Sequence, residues 1–413
     1  MTGVKAPVFV TAMRCDMECE VIVVGGGPAG LACALGLADS GLAVIVVERQ
    51  PIAALADPAV DGRAIALTHR SVDILRALGA WALIDPAVVS PLRRACVLDG
   101  RSDFTLAFDP PNDRLSEDRL GQLVANHHIR RALFAAATSG ETAAVTSKLT
   151  ILAESAVCDV VADRAGTAVT LSDGRVLRGR LLVAADSRFS GVRDRLGIGA
   201  TVNRLGRSML VVDVTHECDH RGIATEWFGY DQTIALLPLV GRRSSVVLTL
   251  PEDAIARLAG LEPAALAAEL TRRSAGKLGT MHVAGRAHVY PLATVWSHHF
   301  AATRAALIGD AAVGMHPVTA HGFNLGLRSA ASLASLVSHA AGSGRDIGAS
   351  SLLRRYEVAH RIAAAPAFAA TGLIVGLYTD DRMPARVARP AILRAAARLS
   401  PIRAGVSRML MRH

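Results

Sequence analysis

The run ECEVIVVGGGPAGLACALGLADSGLAVIVVER, residues 18–49, constrains the fold more than any other stretch of the chain. Val21 to Val24 is a short, apolar, β-branched run, as expected of a strand buried on both faces. Gly25-Gly26-Gly27-Pro28-Ala29-Gly30 follows it. Leu31 to Asp39 is rich in Ala and Leu and reads as a helix, which Ser40-Gly41 should end. Leu42 to Val47 is a second buried strand, with Glu48 at its tip. The unit is strand–helix–strand, and it commits the chain to a parallel sheet covered by helices.

The glycines have separate tasks. Gly25 permits the tight turn after the strand. Gly27 lets the backbone approach a pyrophosphate. Gly30 lets the helix pack closely on the strand. The helix N-terminus offers free N–H groups and partial positive charge to the phosphates. Glu48 is placed to accept from an adenosine ribose hydroxyl. A carboxylate there favours an unphosphorylated ribose, so the expected ligand is FAD or NAD rather than NADP. A second element, ALIGDAAVGMHP, should bring Gly309 and Asp310 on a strand end to the same region. Asp310 could bond the ribityl hydroxyls of a flavin, or cap a short helix.

Elsewhere the pattern is mixed. DGRAIALTHRSVDILRALGAW contains a helix closed by Gly79, and a further helix is expected around 118–137. AVTLSDGRVLRGRLLVAAD reads as a hairpin with an Asp173-Gly174 turn, then a strand ending at Asp186. Strand-like runs over about 205–250 suggest a second, antiparallel sheet. Helices are expected from Leu325 to Ala340 and then to the end, broken by Pro366, Pro384, Pro390 and Pro401.

Composition narrows the partners. The 413 residues carry a net charge of +9, which suits an anionic partner. Eight arginines and no acid lie between Arg382 and Arg412. Aromatics are only 4%, and no basic patch is interleaved with them, which argues against nucleic acid. Cysteines at 15, 19, 33, 96, 158 and 218 complete no zinc set and read as reduced thiols. His316 and His321 are one residue too far apart for a helical metal pair, so no metal is expected. Residues 1–19 read as an extension without the apolar core of a secretion signal, with Met13 and Met17 as candidate starts. Ile362 to Thr379 carries no charge and reads as a buried or membrane-surface helix.

Four runs together carry a resemblance: the opening βαβ unit, DGRAIALTHRSVDILRALGAW, VANHHIRRAL, and ALIGDAAVGMHPVTAHGFNLGLRSAASL. In this order they resemble the flavin-dependent aromatic monooxygenases, and most of all the ubiquinone-biosynthesis hydroxylases, from about residue 20 to about 400. LYTDDRMPARVAR and MHPVTAHGFNLG resemble the branch acting on 5-demethoxyubiquinol.

The resemblance implies an α/β fold of the para-hydroxybenzoate hydroxylase type. A Rossmann-like FAD-binding domain (20–90, 115–200 and 285–345) would be interrupted by an antiparallel-sheet substrate domain (91–114 and 201–284). C-terminal helices (346–413) would follow, with possible membrane-surface contact. It implies FAD as cofactor, NAD(P)H as electron donor, and O2 and a polyprenylated quinol as substrates. A ubiquinone-biosynthesis complex and the inner face of the membrane are implied partners of a cytoplasmic, peripheral enzyme.

The same resemblance makes Gly25, Gly27, Ala29, Gly30, Glu48 and Arg49 the ADP-binding set. Arg63 would lie near the pyrophosphate and flavin, Asn126 would face the flavin, and Asp310 would bind the ribityl chain. Asp186 belongs to a family Asp-Gly pair that here reads Asp186-Ser187. Gly322 to Gly326, with Phe323 and Asn324 among them, would run along the isoalloxazine, with a helix N-terminus aimed at its edge, and Pro317 would also bind the cofactor. The usual Gly-Gln-Gly is here Ala320-His321-Gly322. His316 and His321 are the candidates, with the few tyrosines, for a base acting on a phenol. The alternative for His321 is a loop histidine bonded to backbone. A prenyl-lipid reductase, a halogenase, or an idle FAD- or quinone-binding subunit are the competing functions. The tryptophan-rich halogenase motif is missing, and EWFGYDQTIALLPL departs from the reductase pattern.

Overall fold

The computed structural model describes residues 17–100, 105–110, 119–138, 148–229, 232–317 and 321–379. A six-stranded sheet forms the first layer. Its order is Ala301–Ala302, Ala305–Leu307, Leu181–Ala184, Val21–Val24, Val44–Val47, Leu149–Leu152. All neighbours are parallel except the edge pair Ala301–Ala302 with Ala305–Leu307. Strand order reverses beside Val21–Val24. The chain first adds strands on one side, then returns to the other with Leu181–Ala184. Such a switch point opens a crevice at the strand ends.

The βαβ reading holds. Val21–Val24 and Val44–Val47 are buried throughout, and helix Pro28–Asp39 joins them. Pro28 stands in the first helical turn, where its missing N–H costs nothing. The helix packs on the long helix His321–Gly342, which runs beside it in the same core.

A nine-stranded sheet forms the second layer. Its main path is Val313–Gly314, His288–Ser297, Ala200–His216, Arg243–Pro251, Thr233–Pro238, Ile223–Phe228, Arg94–Asp99, Thr105–Phe108. It is antiparallel except where Ile223–Phe228 runs parallel to Arg94–Asp99. Helices Glu252–Ala259 and Pro263–Arg273 cover one face with Ile255, Leu258, Leu266 and Leu270. A three-stranded sheet, Ala64–Leu67, Gly121–Ala125 and Ser90–Leu92, packs toward the other face.

Three expectations need correction. The helix expected around 118–137 begins only at Asn126, and Gly121–Ala125 before it is the central strand of the small sheet. Gly121 permits that close pairing, since a Cβ there would sit 2.2 Å from the Leu67 carbonyl oxygen. The helix expected from Leu325 starts at His321. Pro366 breaks nothing: one helix runs from Ser350 to Thr379. The bond that Pro366 removes would have ended on the Ile362 carbonyl. Ile362 is 70% exposed, so water can take that place. Of the two readings of that helix, buried or membrane-surface, its largely exposed face leaves the second. The arginine-rich segment after it lies outside the described residues.

Candidate functional site

Three contacts gather the distant motifs. Ala29, on the first helix, lies against Gly309, and a Cβ on Gly309 would come within 3.1 Å of it. A Cβ on Gly326 would approach the Gly309 Cα to 3.3 Å. Ser329 accepts from the Gly309 N–H through its hydroxyl at 3.0 Å. The glycine loop, the Gly309-Asp310 turn and the start of helix His321–Gly342 therefore meet at one place.

The glycine loop has the shape of a cradle. Gly25 adopts φ +112°, and a Cβ there would strike the Ala185 carbonyl oxygen at 2.4 Å. On Gly30 it would meet the Gly25 oxygen at 1.9 Å. Gly27 differs: nothing lies within 4 Å of its Cβ position, so the backbone faces open space. No side chain caps the helix that follows, leaving its first N–H groups to a ligand. Glu48 accepts from the Gly26 N–H at 2.7 Å and the Gln50 N–H at 2.9 Å. The strand end, loop and carboxylate thus form one unit. Open space over Gly27, bare helix N–H groups and a fixed carboxylate fit a dinucleotide. Arg49 beside them is exposed.

A second cluster centres on Asp61. Its carboxylate receives the Arg63 guanidinium at 2.6 Å and the Asn126 side-chain amide at 2.7 Å. Burial raises this carboxyl, but the Arg63 charge and the hydrogen bonds from Arg63 and Asn126 outweigh it and hold it below its usual value. The Asn126 N–H also donates to the Arg63 carbonyl at 2.8 Å. Arg63 and Asn126 therefore sit side by side, oriented by an acid that the sequence reading did not single out. Its signal was present in the DGR run.

Asp310 is not a helix cap. It lies inside the short turn Gly309–Ala311, which Ile308 precedes at the cap position. Its carboxylate accepts two bonds from Arg188, at 2.9 and 3.2 Å. Arg188 is the second residue overlooked, and nothing in the sequence marks it beyond nearness to Asp186. Asp186 itself accepts from the Ser190 hydroxyl at 2.5 Å and the Val192 N–H at 3.2 Å. It fixes the start of helix Gly191–Arg195. Ser187 next to it adopts φ +132°, a backbone conformation natural to glycine.

The two histidines of the run sit in different settings. His316 is buried, and burial with the nearby Arg188 and Arg207 charges pushes its imidazole down to about 4. It is neutral at neutral pH, and suited to hydrogen bonding more than to taking protons. Pro317 follows it, while residues 318–320 lie outside the described residues. His321 is the first, buried residue of its helix, beside a cavity of about 70 Å³ that Leu325, Arg328 and Ala363 also line. Gly322 and Phe323 continue the first turn. Asn324 clamps the helix to the small sheet: it accepts from the Thr68 N–H at 3.1 Å and donates to the Ala66 carbonyl at 2.8 Å. Among the described residues no cluster of His, Cys, Asp or Glu could hold a metal.

Comparison with known proteins agrees with this geometry. Residues 18–369 match the family described as FAD binding domain. Ubiquinone hydroxylase UbiM of Neisseria meningitidis is 42% identical over 96% of this chain and 85% of its own. Ubiquinone hydroxylase UbiL of Rhodospirillum rubrum is 34% identical over 96% of this chain and 90% of its own. The crystal structure of p-nitrophenol 4-monooxygenase PnpA from Pseudomonas putida superposes with a TM-score of 0.74 at 18% identity, covering 95% of this chain and 97% of that one. At that identity the likeness speaks for the fold. The chain belongs to the FAD-binding-domain flavoproteins, and within them to the ubiquinone-hydroxylase family of FAD-dependent aromatic monooxygenases.

Proposed function

We propose that this chain hydroxylates the ring of a polyprenylated benzoquinol or phenol in ubiquinone biosynthesis, with 5-demethoxyubiquinol as its substrate, NAD(P)H as reductant and O2 as oxygen donor. The observation that carries the reading is likeness to two ubiquinone hydroxylases along nearly the whole chain. The domain division given above is proposed with it.

Bound FAD supplies the electron transfer and oxygen activation that no side chain can. The chain's own residues bind, orient and exclude water. The cradle of Gly25, Gly27, Ala29 and Gly30, with Glu48 and Arg49, is suited to the ADP half. Arg63 and Asn126, held by Asp61, suit the polar edges of the flavin. Asp310, with one oxygen held by Arg188, suits the ribityl hydroxyls. The helix start at His321–Asn324 would offer partial positive charge to a bound flavin, and Pro317 ahead of it would help hold the ring.

A bilayer substrate needs a membrane-docked enzyme. On helix Ser350–Thr379, Val358, Ile362 and Leu373 fall along one stripe and are 50%, 70% and 75% exposed. The arginine-rich tail that follows complements an anionic surface. We place the enzyme on the cytoplasmic face of the membrane by that stripe and tail. The test of the function is expression in cells lacking quinone ring hydroxylases. Mass spectrometry should find the hydroxylated quinone restored, and its continued absence counts against the reading.

A further inference from the structure

Glu226 takes no part in the cradle. It lies mid-strand in Ile223–Phe228, in register with Ala235 on one side and Val97 on the other. Side chains alternate along a strand, so Glu226 shares a face with Ala224 and Phe228, opposite Trp227. Packing follows that alternation. Trp227 joins the core under the two covering helices, while Ala224 and Phe228 join an apolar cluster with Ala64, Ala66 and Leu237. Ala64 directly follows Arg63. The strand that begins at the Asp61–Arg63–Asn126 cluster thus faces the strand that carries Glu226.

This cluster is not a closed core. Ala64, Ala66, Val97, Ala224, Leu237 and Ile374 all remain partly exposed. They form a partly exposed apolar seam where the large sheet, the small sheet and the C-terminal helix meet. Glu226 is also partly exposed, yet burial alone acts on it, and no hydrogen bond or ion pair reaches it among the described residues. A carboxyl in apolar surroundings is costly unless something bonds to it. Here Glu226, partly exposed at the edge of the seam, can be reached by a ligand that does so.

We infer that Glu226 is a catalytic residue of the ring site, whose carboxylate accepts the proton of a ring hydroxyl of the substrate. The inference rests on the ring-hydroxylase reading above. In the step, the phenol O–H bond breaks and an O–H bond forms on a Glu226 oxygen. The electron pair stays on the ring oxygen, which enriches the adjacent ring carbon for attack on oxygen. The proton returns to the ring oxygen when hydroxylation is complete.

The electrostatics suit this role. Burial pushes the Glu226 carboxyl up to about 8, closer to a phenol than any surface carboxylate. Catalytic bases work best near the operating pH. On the same face, Asp99 is in register with Phe228, and Asp213, His288 and Tyr290 lie further across the sheet. None of them alters Glu226. The facing strands Ala64–Leu67, Ser90–Leu92 and Gly121–Ala125 hold no titratable side chain, nor do residues 372–376 around Ile374.

The experiment compares holoenzyme with Glu226, Glu226→Gln and Glu226→Asp on a short-chain 2-prenylphenol. It follows kcat and KM from about pH 6 to about pH 9, and the phenolate absorption band of the bound phenol. The inference predicts that Glu226→Gln loses about a hundredfold or more in kcat with little change in KM. It should also lose the phenolate band and the dependence on the raised carboxyl, and Glu226→Asp should recover part of each. Wild-type kcat, band and pH profile in Glu226→Gln would overturn the inference and leave the hydroxylase reading intact. Equal losses in both variants, with a lowered melting temperature and an unchanged pH profile, would also overturn it, as a structural role. Failure of the wild type itself to hydroxylate any prenylated phenol or quinol sinks the parent reading, and this inference with it.

Discussion

Tyr290 donates its hydroxyl to the backbone carbonyl of Asp61 at 2.7 Å. Two strands away, Ser245 donates to the Gly62 carbonyl at 3.1 Å. The large sheet therefore holds the turn that carries Asp61 and Arg63. Gly62 fits this contact at φ +71°, where a Cβ would come within 3.0 Å of the His288 ring. Tyr290→Phe keeps the ring under the Arg63 guanidinium, 5.6 Å from its centroid, and removes the hydroxyl's hydrogen bonding to the Asp61 carbonyl and with Arg63. It should cost about 1 kcal/mol in urea unfolding. It should also weaken FAD binding several-fold by flavin fluorescence, since Arg63 loses its fixed position. Wild-type flavin affinity would detach this turn from the cofactor.

The loop glycines should separate binding from folding. At Gly27 nothing stands near a Cβ and φ is −73°, so Gly27→Ala should fold normally. Its methyl would occupy the space assigned to the pyrophosphate, and flavin affinity should fall at least about tenfold, or 1.4 kcal/mol. Gly30→Ala forces a methyl against the Gly25 oxygen and should fail to fold. Unchanged flavin affinity in Gly27→Ala would move the cofactor off this loop.

Ser187 invites the opposite change. Its positive φ costs a non-glycine residue about 1–3 kcal/mol. Glycine adds unfolded-state freedom worth about 0.5–1 kcal/mol against folding. Ser187→Gly should therefore stabilise the protein by about 1 kcal/mol net, read from the urea midpoint. A lower midpoint would mean that the serine side chain holds the turn.

Much of this was legible in the sequence, for a physical reason. Val21 to Glu48 is local: strand, turn, helix and strand each announce themselves by period or by glycine, and the structure follows them. Gly309-Asp310 was found because a strand delivers it. What sequence hid was long-range. The 121–125 strand looked helical because its apolar residues run into a true helix; its strand character comes from pairing with residues far away. Asp61 and Arg188 went unnoticed because their importance lies in the partners, Arg63, Asn126 and Asp310, that folding brings to them. Glu226 was invisible because only register reveals which face it occupies.

Membrane docking has its own test. Among the described residues one helix, over Ser350–Gly376, is long and apolar enough to cross a membrane, and only 22% of its apolar window is buried. The docking proposed above uses its exposed stripe. Burying a leucine or isoleucine is worth about 1.5–3 kcal/mol, or roughly tenfold and more in binding. Ile362→Asp with Leu373→Asp should therefore release most protein from anionic vesicles in sedimentation, as should removal of residues after 389. Equal sedimentation of all forms would end the idea.

The account as a whole stands on oxygen transfer to a ring. Purified enzyme loaded with FAD, given NADH, a short-chain demethoxyubiquinol and isotopically labelled O2, tests it most directly by mass spectrometry of the quinone. The account predicts one labelled oxygen atom in each product ring, and none from labelled water. Product without label, or a reduced side chain with no added oxygen, would contradict it.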